Sequence, residues 1–202
     1  MFRAVLIAAM LFVAACSTPT DPDTEGSAAV EALPLFPGET PRIRALVNKW
    51  AEHYSLPRSL VHRIIQRESD YRPEARSGPY WGIMQILPAT ARNMGMVGHP
   101  RQLLKADTGL KYSLRYMRGA WMLSGGDEAR AVQWYARGYY FEAKRQGLLR
   151  QTGLRGELWQ RVDAGTATMP LIDENGRILP VPEVCEPRTG LAAALRGTGC
   201  EA

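Results

Sequence analysis

The chain has 202 residues, of which 46% are hydrophobic and 22% are charged. These fractions are typical of one globular domain with attachments, and they exclude a largely disordered chain. The formal net charge of +5 favours an anionic partner without identifying it. Three cysteines and three scattered histidines exclude a disulfide-dense miniprotein and a four-cysteine zinc site. The scattered histidines also give little support to a cluster of metal ligands, so we predict no metal site.

The N-terminus has the organisation of an export signal. Met1-Phe2-Arg3 supplies a short positive end, and residues 4–15 are apolar without interruption. A helix that crosses a bilayer needs about 20 apolar residues, so this stretch is too short to span one. We predict that residues 1–15 are a signal peptide.

The end of this segment, Val13-Ala14-Ala15-Cys16, resembles a bacterial lipobox. The resemblance implies that Cys16 becomes the lipid-modified first residue of the mature protein. Ser17 then implies attachment to the periplasmic face of the outer membrane of a Gram-negative cell envelope. The alternative is an ordinary signal peptide followed by a chance cysteine. Residues 16–40 lack periodicity and begin with a polar, proline-containing stretch, so we predict a flexible tether.

Helical periodicity starts at Thr40-Pro41, an N-cap residue followed by proline at the first helical position. Apolar residues then recur at helical spacing. Ser55 is predicted to cap a second helix. Further helices are predicted over residues 88–95, 107–123 with Asp107 as its cap, 128–135, 139–146 and 157–163. Nothing in this region alternates with period two, so residues 41–164 are predicted to form an all-α domain.

Glu68 is the first unusual residue of the second helix. It continues the apolar stripe of Ile64 and Ile65 at spacings of four and three residues. Burial and the negative end of the helix dipole both raise the pKa of such a carboxyl group, as a general acid requires. The alternative is an exposed residue in the exit turn, paired with Arg67 or Arg72.

Residues 165–202 are predicted to form a small C-terminal appendage. Asn175-Gly176, flanked by apolar residues, is a strong signal for a type I′ hairpin. Cys185 and Cys200 are predicted to form a disulfide, since an exported protein meets an oxidising compartment. The alternative is a pair of free thiols. A lid, a partner surface and a structural brace all remain open as roles for this appendage.

Four short motifs occur in order within about 24 residues of Glu68. They are Glu68-Ser69, Ala75 with Ser77, Gly82-Ile83-Met84-Gln85 and Pro88-Ala89-Thr90-Ala91, and Tyr135-Ala136-Arg137-Gly138 follows later. This order resembles the lysozyme-like domain of the soluble lytic transglycosylases, glycoside hydrolase family 23. The resemblance covers roughly residues 45 to 147. It implies the helical body of the α+β lysozyme-like superfamily.

The resemblance implies a role for each matching residue. Glu68 is the lone catalytic acid and base. Ser77 hydrogen-bonds near that carboxylate or to the N-acetyl group of the substrate, Met84 and Gln85 line the glycan groove, and Tyr135 lies close to the reacting sugar. The structural alternatives are a turn residue for Ser77, core packing for Met84 and Tyr135, and a helix-capping amide for Gln85.

Tyr80, Trp81 and Gly82 complete the predicted site. The two aromatic rings are candidate platforms for sugar stacking, with core packing as the alternative. Gly82 permits either a special backbone conformation or the close approach of substrate. The sequence departs from the family pattern twice: Ala136 replaces an asparagine, and the loop between Ser77 and Gly82 is one residue shorter.

The carboxylates indicate the chemistry. Most glycosidases use two carboxyl groups, but Asp70 lies two residues from Glu68 and so faces away on a helix, and Glu74 follows Pro73 in a loop. By resemblance, Glu68 cleaves the bond between N-acetylmuramic acid and N-acetylglucosamine. The substrate's N-acetyl group assists, and the product is a 1,6-anhydro sugar formed without water, metal or cofactor.

Two other functions remain as alternatives. One is a hydrolase of the same fold, like goose-type lysozyme. The other is a non-catalytic peptidoglycan-binding lipoprotein, which Ala136 alone supports. The expected partners are peptidoglycan glycan strands and, through the N-terminal lipid, a membrane. No motif predicts nucleic-acid binding, and no protein partner is predicted.

Overall fold

The computed structural model describes residues 34–180, and its compact unit begins at Phe36. The predicted signal peptide, Cys16 and most of the predicted tether lie outside the described residues. Cys185 and Cys200 also lie outside them, so both the disulfide and the lipid anchor remain predictions.

Within residues 34–180 the chain forms seven α-helices, one 3-10 helix and one two-stranded sheet. The helices are α1 Pro41–His53, α2 Arg58–Ser69, α3 Pro88–Asn93, α4 Ala106–Ser124, α5 Glu128–Arg137, α6 Tyr140–Arg145 and α7 Leu158–Asp163, with the 3-10 helix at Pro100–Leu104. The strands, β1 Arg76–Ser77 and β2 Tyr80–Trp81, have two residues each. The mostly helical fold confirms the predicted class, while the sheet occupies a segment predicted to be loop.

The cap of α1 forms as predicted, because the Thr40 hydroxyl accepts a hydrogen bond from the Ile43 N–H at 3.2 Å. The predicted Ser55 cap is wrong. Ser55 has a left-handed backbone with φ 52° after the end of α1, and α2 begins at Arg58 with Pro57 as its N-cap residue.

The predicted Asp107 cap is also wrong. Asp107 lies inside the first turn of α4. Its carboxylate accepts hydrogen bonds from the Trp50 indole N–H at 2.8 Å and from Lys49 Nζ at 3.1 Å. The Asp107 carboxylate therefore binds side chains of α1, although the local sequence predicts that it caps the N-terminus of α4.

Helix α4 is the centre of the fold, since 13 of its 19 residues are buried. It packs against α1, α3, α5 and the 3-10 helix, and α2 packs against both α1 and α5. The predicted apolar side of α4 is buried throughout: Leu110, Leu114, Met117 and Trp121. This central helix brings the elements of the site together.

Two arginines inside α4 are also buried. Arg115 forms an ion pair with Asp163 at the end of α7 and donates to the Met94 carbonyl after α3 at 2.8 Å. Arg118 donates to the carbonyl groups of Tyr54 and Pro170. Because burying a charge is costly unless it is hydrogen-bonded, these contacts hold the surrounding segments against α4.

The described part of the C-terminal segment packs on the same core. Ile172 is 8% exposed and belongs to the main hydrophobic cluster, while Met169 and Ile178 pack against that cluster. Ile172 and Ile178 form an antiparallel bridge, so the predicted chain reversal is present.

The predicted type I′ turn in this segment is wrong. The Gly176 N–H donates to the Asp173 carbonyl at 3.0 Å, which places Glu174 and Asn175 at the centre of the turn. Gly176 has φ 74°, whereas Asn175 does not have the positive φ that a type I′ turn requires. The Asp173 carboxylate accepts the N–H groups of Asn175 and Arg177, both at 2.8 Å, and this local bonding shifts the turn by one residue.

Substitution of Gly119 can test how closely α4 packs against Tyr139, which follows α5. A methyl group at Gly119 would lie 2.3 Å from the Tyr139 hydroxyl, which donates to the Tyr116 carbonyl. Alanine normally stabilises a helix relative to glycine, but here we expect Gly119→Ala to lower the free energy of unfolding by about 1–3 kcal/mol. Chemical denaturation measures the change. In a Tyr139→Phe background the loss should be smaller, and a stabilised Gly119→Ala protein would contradict this packing.

Candidate active site

Glu68 is the second-to-last residue of α2 and follows the buried Ile64 and Ile65. Its side chain is 23% exposed, and Arg67 Nε lies 3.7 Å from its Oε1 atom. Burial raises the pKa of Glu68, and the nearby Arg67 charge only partly opposes this effect. A carboxyl group with a raised pKa keeps its proton to higher pH, as a general acid must.

The turn after Glu68 is tightly constrained. Asp70 and Tyr71 both have left-handed backbones, with φ 49° and 62°. The Ser69 hydroxyl donates to the Ile83 carbonyl at 2.7 Å, and the Tyr71 hydroxyl contacts His62 Nδ1 at 2.8 Å. These buried bonds hold the end of α2, and hence the residue that precedes Ser69, in one place.

A buried ion pair braces this turn from the N-terminal side. The Glu39 carboxylate accepts from Arg44 Nε at 2.6 Å and from the Phe36 N–H at 2.9 Å. Burial acts to raise the pKa of Glu39, but these hydrogen bonds and the neighbouring positive charges together lower it. The Phe36 ring stacks on Tyr71 with centroids 6.0 Å apart. The loop before α1 is therefore fastened to the turn after Glu68.

The short hairpin β1–β2 follows the same turn. Ser77 pairs with Tyr80, and Arg76 pairs with Trp81. Ser77 and Tyr80 are both exposed. Trp81 is partly buried, and the Arg76 guanidinium covers one face of its ring at 3.7 Å. Of the two predicted sugar platforms, Tyr80 thus has the more open ring.

Gly82 is required by a close backbone contact. Its φ is 80°, and a Cβ atom there would lie 2.2 Å from the Leu103 carbonyl oxygen. The predicted special conformation is therefore present. The close neighbour is the Leu103 backbone just before α4. The fold therefore requires a glycine here, independently of whether a substrate also approaches it.

Met84 and Gln85 form the turn that follows Gly82. The Met84 side chain is fully buried in the main core cluster, so it packs inside the protein. Gln85 has φ 48°, and its side-chain amide donates to the Gly82 carbonyl at 2.8 Å and to the Ala75 carbonyl at 3.1 Å. The Gln85 amide thereby braces its own turn against the segment that leads into β1.

Tyr135 connects this turn to α5. Its hydroxyl donates to the Met84 carbonyl at 2.8 Å, and its ring meets Tyr116 edge-on with centroids 5.5 Å apart. Burial raises the pKa of Tyr135 far above its ordinary value, and the charge of the nearby Glu68 adds to the effect. Tyr135 therefore keeps its proton and positions the turn beside Glu68.

A cleft of about 200 Å³ opens next to Tyr135. Its lining consists of Tyr80, Gln85, Ile86, Leu87, Thr90, Tyr116, Tyr135, Ala136, Arg137 and Gly138. Of the predicted site residues, it brings together Tyr80, Gln85 and Tyr135. The remaining predicted residues lie outside this lining: Glu68, Ser77, Trp81, Gly82 and Met84.

The family model of the transglycosylase SLT domain matches residues 45–151. The chain belongs to this family. The match covers more than half of the chain, runs from within α1 past α6, and contains both Glu68 and the cleft. It places the chain among proteins of the lytic transglycosylase type, which act on peptidoglycan. No solved structure matches the chain.

The carboxylates that follow Glu68 in sequence lie at the protein surface. Asp70 and Glu74 are both exposed, and the ion pair that Glu68 forms within the described residues is with Arg67. Among residues 34–180, no three histidine, cysteine, aspartate or glutamate side chains are grouped to hold a metal. The same residues contain no helix long and apolar enough to cross a membrane.

Six further residues line the cleft that the sequence does not single out as site residues: Ile86, Leu87, Thr90, Tyr116, Arg137 and Gly138. Two of them, Tyr116 and Arg137, bring an aromatic ring and a charge. Tyr116 lies within α4, and its position in the helical pattern is that of an ordinary packed residue. No sequence signal therefore marks it as a residue of the cleft. Arg137 belongs to the motif of residues 135–138, and that motif is the sequence signal for its position. Both reach the cleft because α4 and α5 pack against each other.

The raised pKa of Glu68 predicts a stability effect. A carboxyl group whose folded pKa lies above its ordinary value of 4.5 costs stability as pH rises through that folded pKa. We expect Glu68→Gln to be more stable than the wild type at pH 7 and equally stable below pH 4. Urea denaturation at both pH values measures this, with the exposed Glu74→Gln as the matched control. Equal stability of wild type and Glu68→Gln at pH 7 would contradict the burial of the charge.

Proposed function

We propose that this SLT domain is an active lytic transglycosylase that cleaves the β-1,4 bond between N-acetylmuramic acid and N-acetylglucosamine. Glu68 is its single catalytic acid and base, and the product carries a 1,6-anhydro-muramoyl end. The observation that carries the proposal is the position of Glu68. It is a partly buried carboxyl group with a raised pKa, its charge affects the nearby Tyr135, and its charged partner among the described residues is Arg67.

The first step uses Glu68 as an acid. Its proton moves to the oxygen between the two sugars, the bond from that oxygen to C1 of the muramoyl residue breaks, and the N-acetylglucosamine side leaves as an alcohol. The developing positive charge at C1 needs an electron donor. We assign this role to the substrate's own N-acetyl oxygen, as in other substrate-assisted glycosidases, because the neighbouring Asp70 and Glu74 are exposed.

The second step uses the Glu68 carboxylate as a base. It accepts the proton of the muramoyl C6 hydroxyl while that oxygen bonds to C1 and displaces the N-acetyl oxygen. Glu68 ends protonated, ready for another cycle, and no water is consumed. A raised pKa suits both steps because it brings the acid and base forms of the same group nearer in free energy.

The residues around Glu68 act mainly by holding geometry. Ser69 and Tyr135 fasten the buried turn through the Ile83 and Met84 carbonyl groups. Gln85 braces that turn and lines the cleft. Tyr80, 44% exposed at the edge of the cleft, offers a ring face to a sugar. Ser77 is exposed on the adjacent strand and is available to the substrate N-acetyl group.

The second candidate is a peptidoglycan-binding protein without turnover. Ala136 favours it, because this residue lines the cleft and lacks the amide that the family pattern has at that position. A hydrolase of the same fold remains the enzymatic alternative. Product chemistry distinguishes all three functions.

Mass spectrometry of digested sacculi tests the chemistry. A soluble form lacking residues 1–16 should release muropeptides lighter by one water than the corresponding hydrolysis products. We expect Glu68→Gln to lower the rate by about 10²–10⁴-fold because it removes the proton donor, while Glu74→Gln stays near the wild-type rate. Reducing-end products would identify a hydrolase. Retention on sacculi without any product would identify a binding protein.

The proposed location is the periplasmic face of the outer membrane, with acylated Cys16 as the anchor. The predicted tether ends before residue 40, because Phe36 stacks on Tyr71 and the buried Glu39 pairs with Arg44. Residues 16–35 would let the SLT domain reach glycan strands while the lipid stays in the membrane. We expect Cys16→Ser to leave the membrane fraction, because the residue that carries the lipid is absent. Fractionation of cell envelopes measures this, with Cys185→Ser as the matched control. A Cys16→Ser protein that still sediments with membranes would contradict the anchor.

A further inference from the structure

Arg137 is a positive charge held at the edge of the cleft. It is the last residue of α5, it is exposed, and it lines the cleft together with Tyr135 and Ala136. Its guanidinium lies 4.3 Å from the ring centroid of Trp134, at the distance of a cation–π contact. Stacking on a partly buried ring restricts the side chain, so less conformational entropy is lost when the guanidinium binds a ligand.

No acidic side chain of residues 34–180 pairs with this charge. The ten residues that line the cleft include no aspartate or glutamate. Glu68 pairs with Arg67, and the acidic residues Asp127 and Glu128 lie at the opposite end of α5, about 15 Å away along a ten-residue helix. The guanidinium therefore keeps N–H donors for an external acceptor.

Ala136, the neighbour of Arg137, has no polar side-chain group that could pair with the guanidinium. Ala136 is exposed and lines the same cleft. Its methyl group neither donates nor accepts a hydrogen bond, so it cannot compete for the guanidinium or for a ligand beside it. At this edge of the cleft, Arg137 is the charged group that a ligand meets.

We propose that Arg137 binds a carboxylate on the muramoyl side chain of the glycan and so selects strands that carry a free carboxylate at this place. This inference rests on the proposed function, because it takes peptidoglycan as the ligand. A guanidinium pairs with a carboxylate through two parallel N–H···O bonds, a geometry that a neutral amide cannot match. The carboxylate has two sources: the lactyl group of a peptide-free muramoyl residue, or a stem peptide attached to it.

Binding to a protein that cannot turn over tests the proposal. In a Glu68→Gln background, titration calorimetry measures the affinity for a peptide-free oligosaccharide of alternating N-acetylglucosamine and N-acetylmuramic acid. The second probe is the same oligosaccharide with each lactyl carboxylate converted to a primary amide. The third carries stem peptides with free carboxylates. The first and third probes distinguish the two sources.

We expect Arg137→Gln to weaken binding of the preferred carboxylate probe about tenfold, the effect typical of a hydrogen bond to a charged group. It should leave binding of the amide probe unchanged. Arg137→Lys should recover part of the affinity because it keeps the charge but loses the planar fork. Arg155→Gln, which removes an exposed arginine outside the cleft lining, is the charge-matched control. If the role of Arg137 were purely structural, Arg137→Gln would change the affinity for all three probes by the same factor.

Equal weakening of the carboxylate and amide probes, no weakening, or no binding of any probe would overturn the proposal. The two proposals fail separately. Anhydro products from a wild-type protein without carboxylate preference would leave the transglycosylase and remove only the role of Arg137. Carboxylate-selective binding by a wild-type protein that releases no product would leave the role of Arg137 and remove the catalysis.

Discussion

The site depends on one constraint: Ile83 and Met84, in the turn after Gly82, are fully buried. A buried carbonyl group without a hydrogen bond is costly, so each of these two carbonyl oxygens needs a donor from elsewhere in the fold. Ser69 at the end of α2 supplies one, and Tyr135 in α5 supplies the other. Satisfying the backbone of a single turn thereby joins three segments that are distant in sequence.

These two hydrogen bonds also set the geometry of the candidate site. Ser69 is the neighbour of Glu68, so the bond that satisfies Ile83 also sets the end of the helix that carries the carboxyl group. Tyr135 is the neighbour of Ala136 and Arg137, so the bond that satisfies Met84 also sets one wall of the cleft. The Leu103 backbone excludes any side chain at position 82 and closes the turn from the side of α4.

Charged side chains are paired differently in the core and near the cleft. Inside the protein, the charges of Arg44 and Arg115 are matched by carboxylates, and Arg118 is held by carbonyl groups. At the site, Glu68 is partly buried beside a single, mostly exposed arginine, and Arg137 is stacked on an indole without an acid. A matched charge stabilises the fold, whereas an unmatched charge at a cleft is available to a substrate.

The sequence by itself determined the helices, the apolar face that carries Glu68 and the family motifs, because helical periodicity and the Thr40 cap act between residues a few positions apart. Only the tertiary structure decided the partners of Asp107, which binds Trp50 instead of capping a helix, and the roles of Met84 and Tyr135, which meet through one buried hydrogen bond. Arg137 gained its place in the same way. These contacts join residues about 50 positions or more apart, or depend on how two helices pack, and no local pattern encodes which buried group will find which donor.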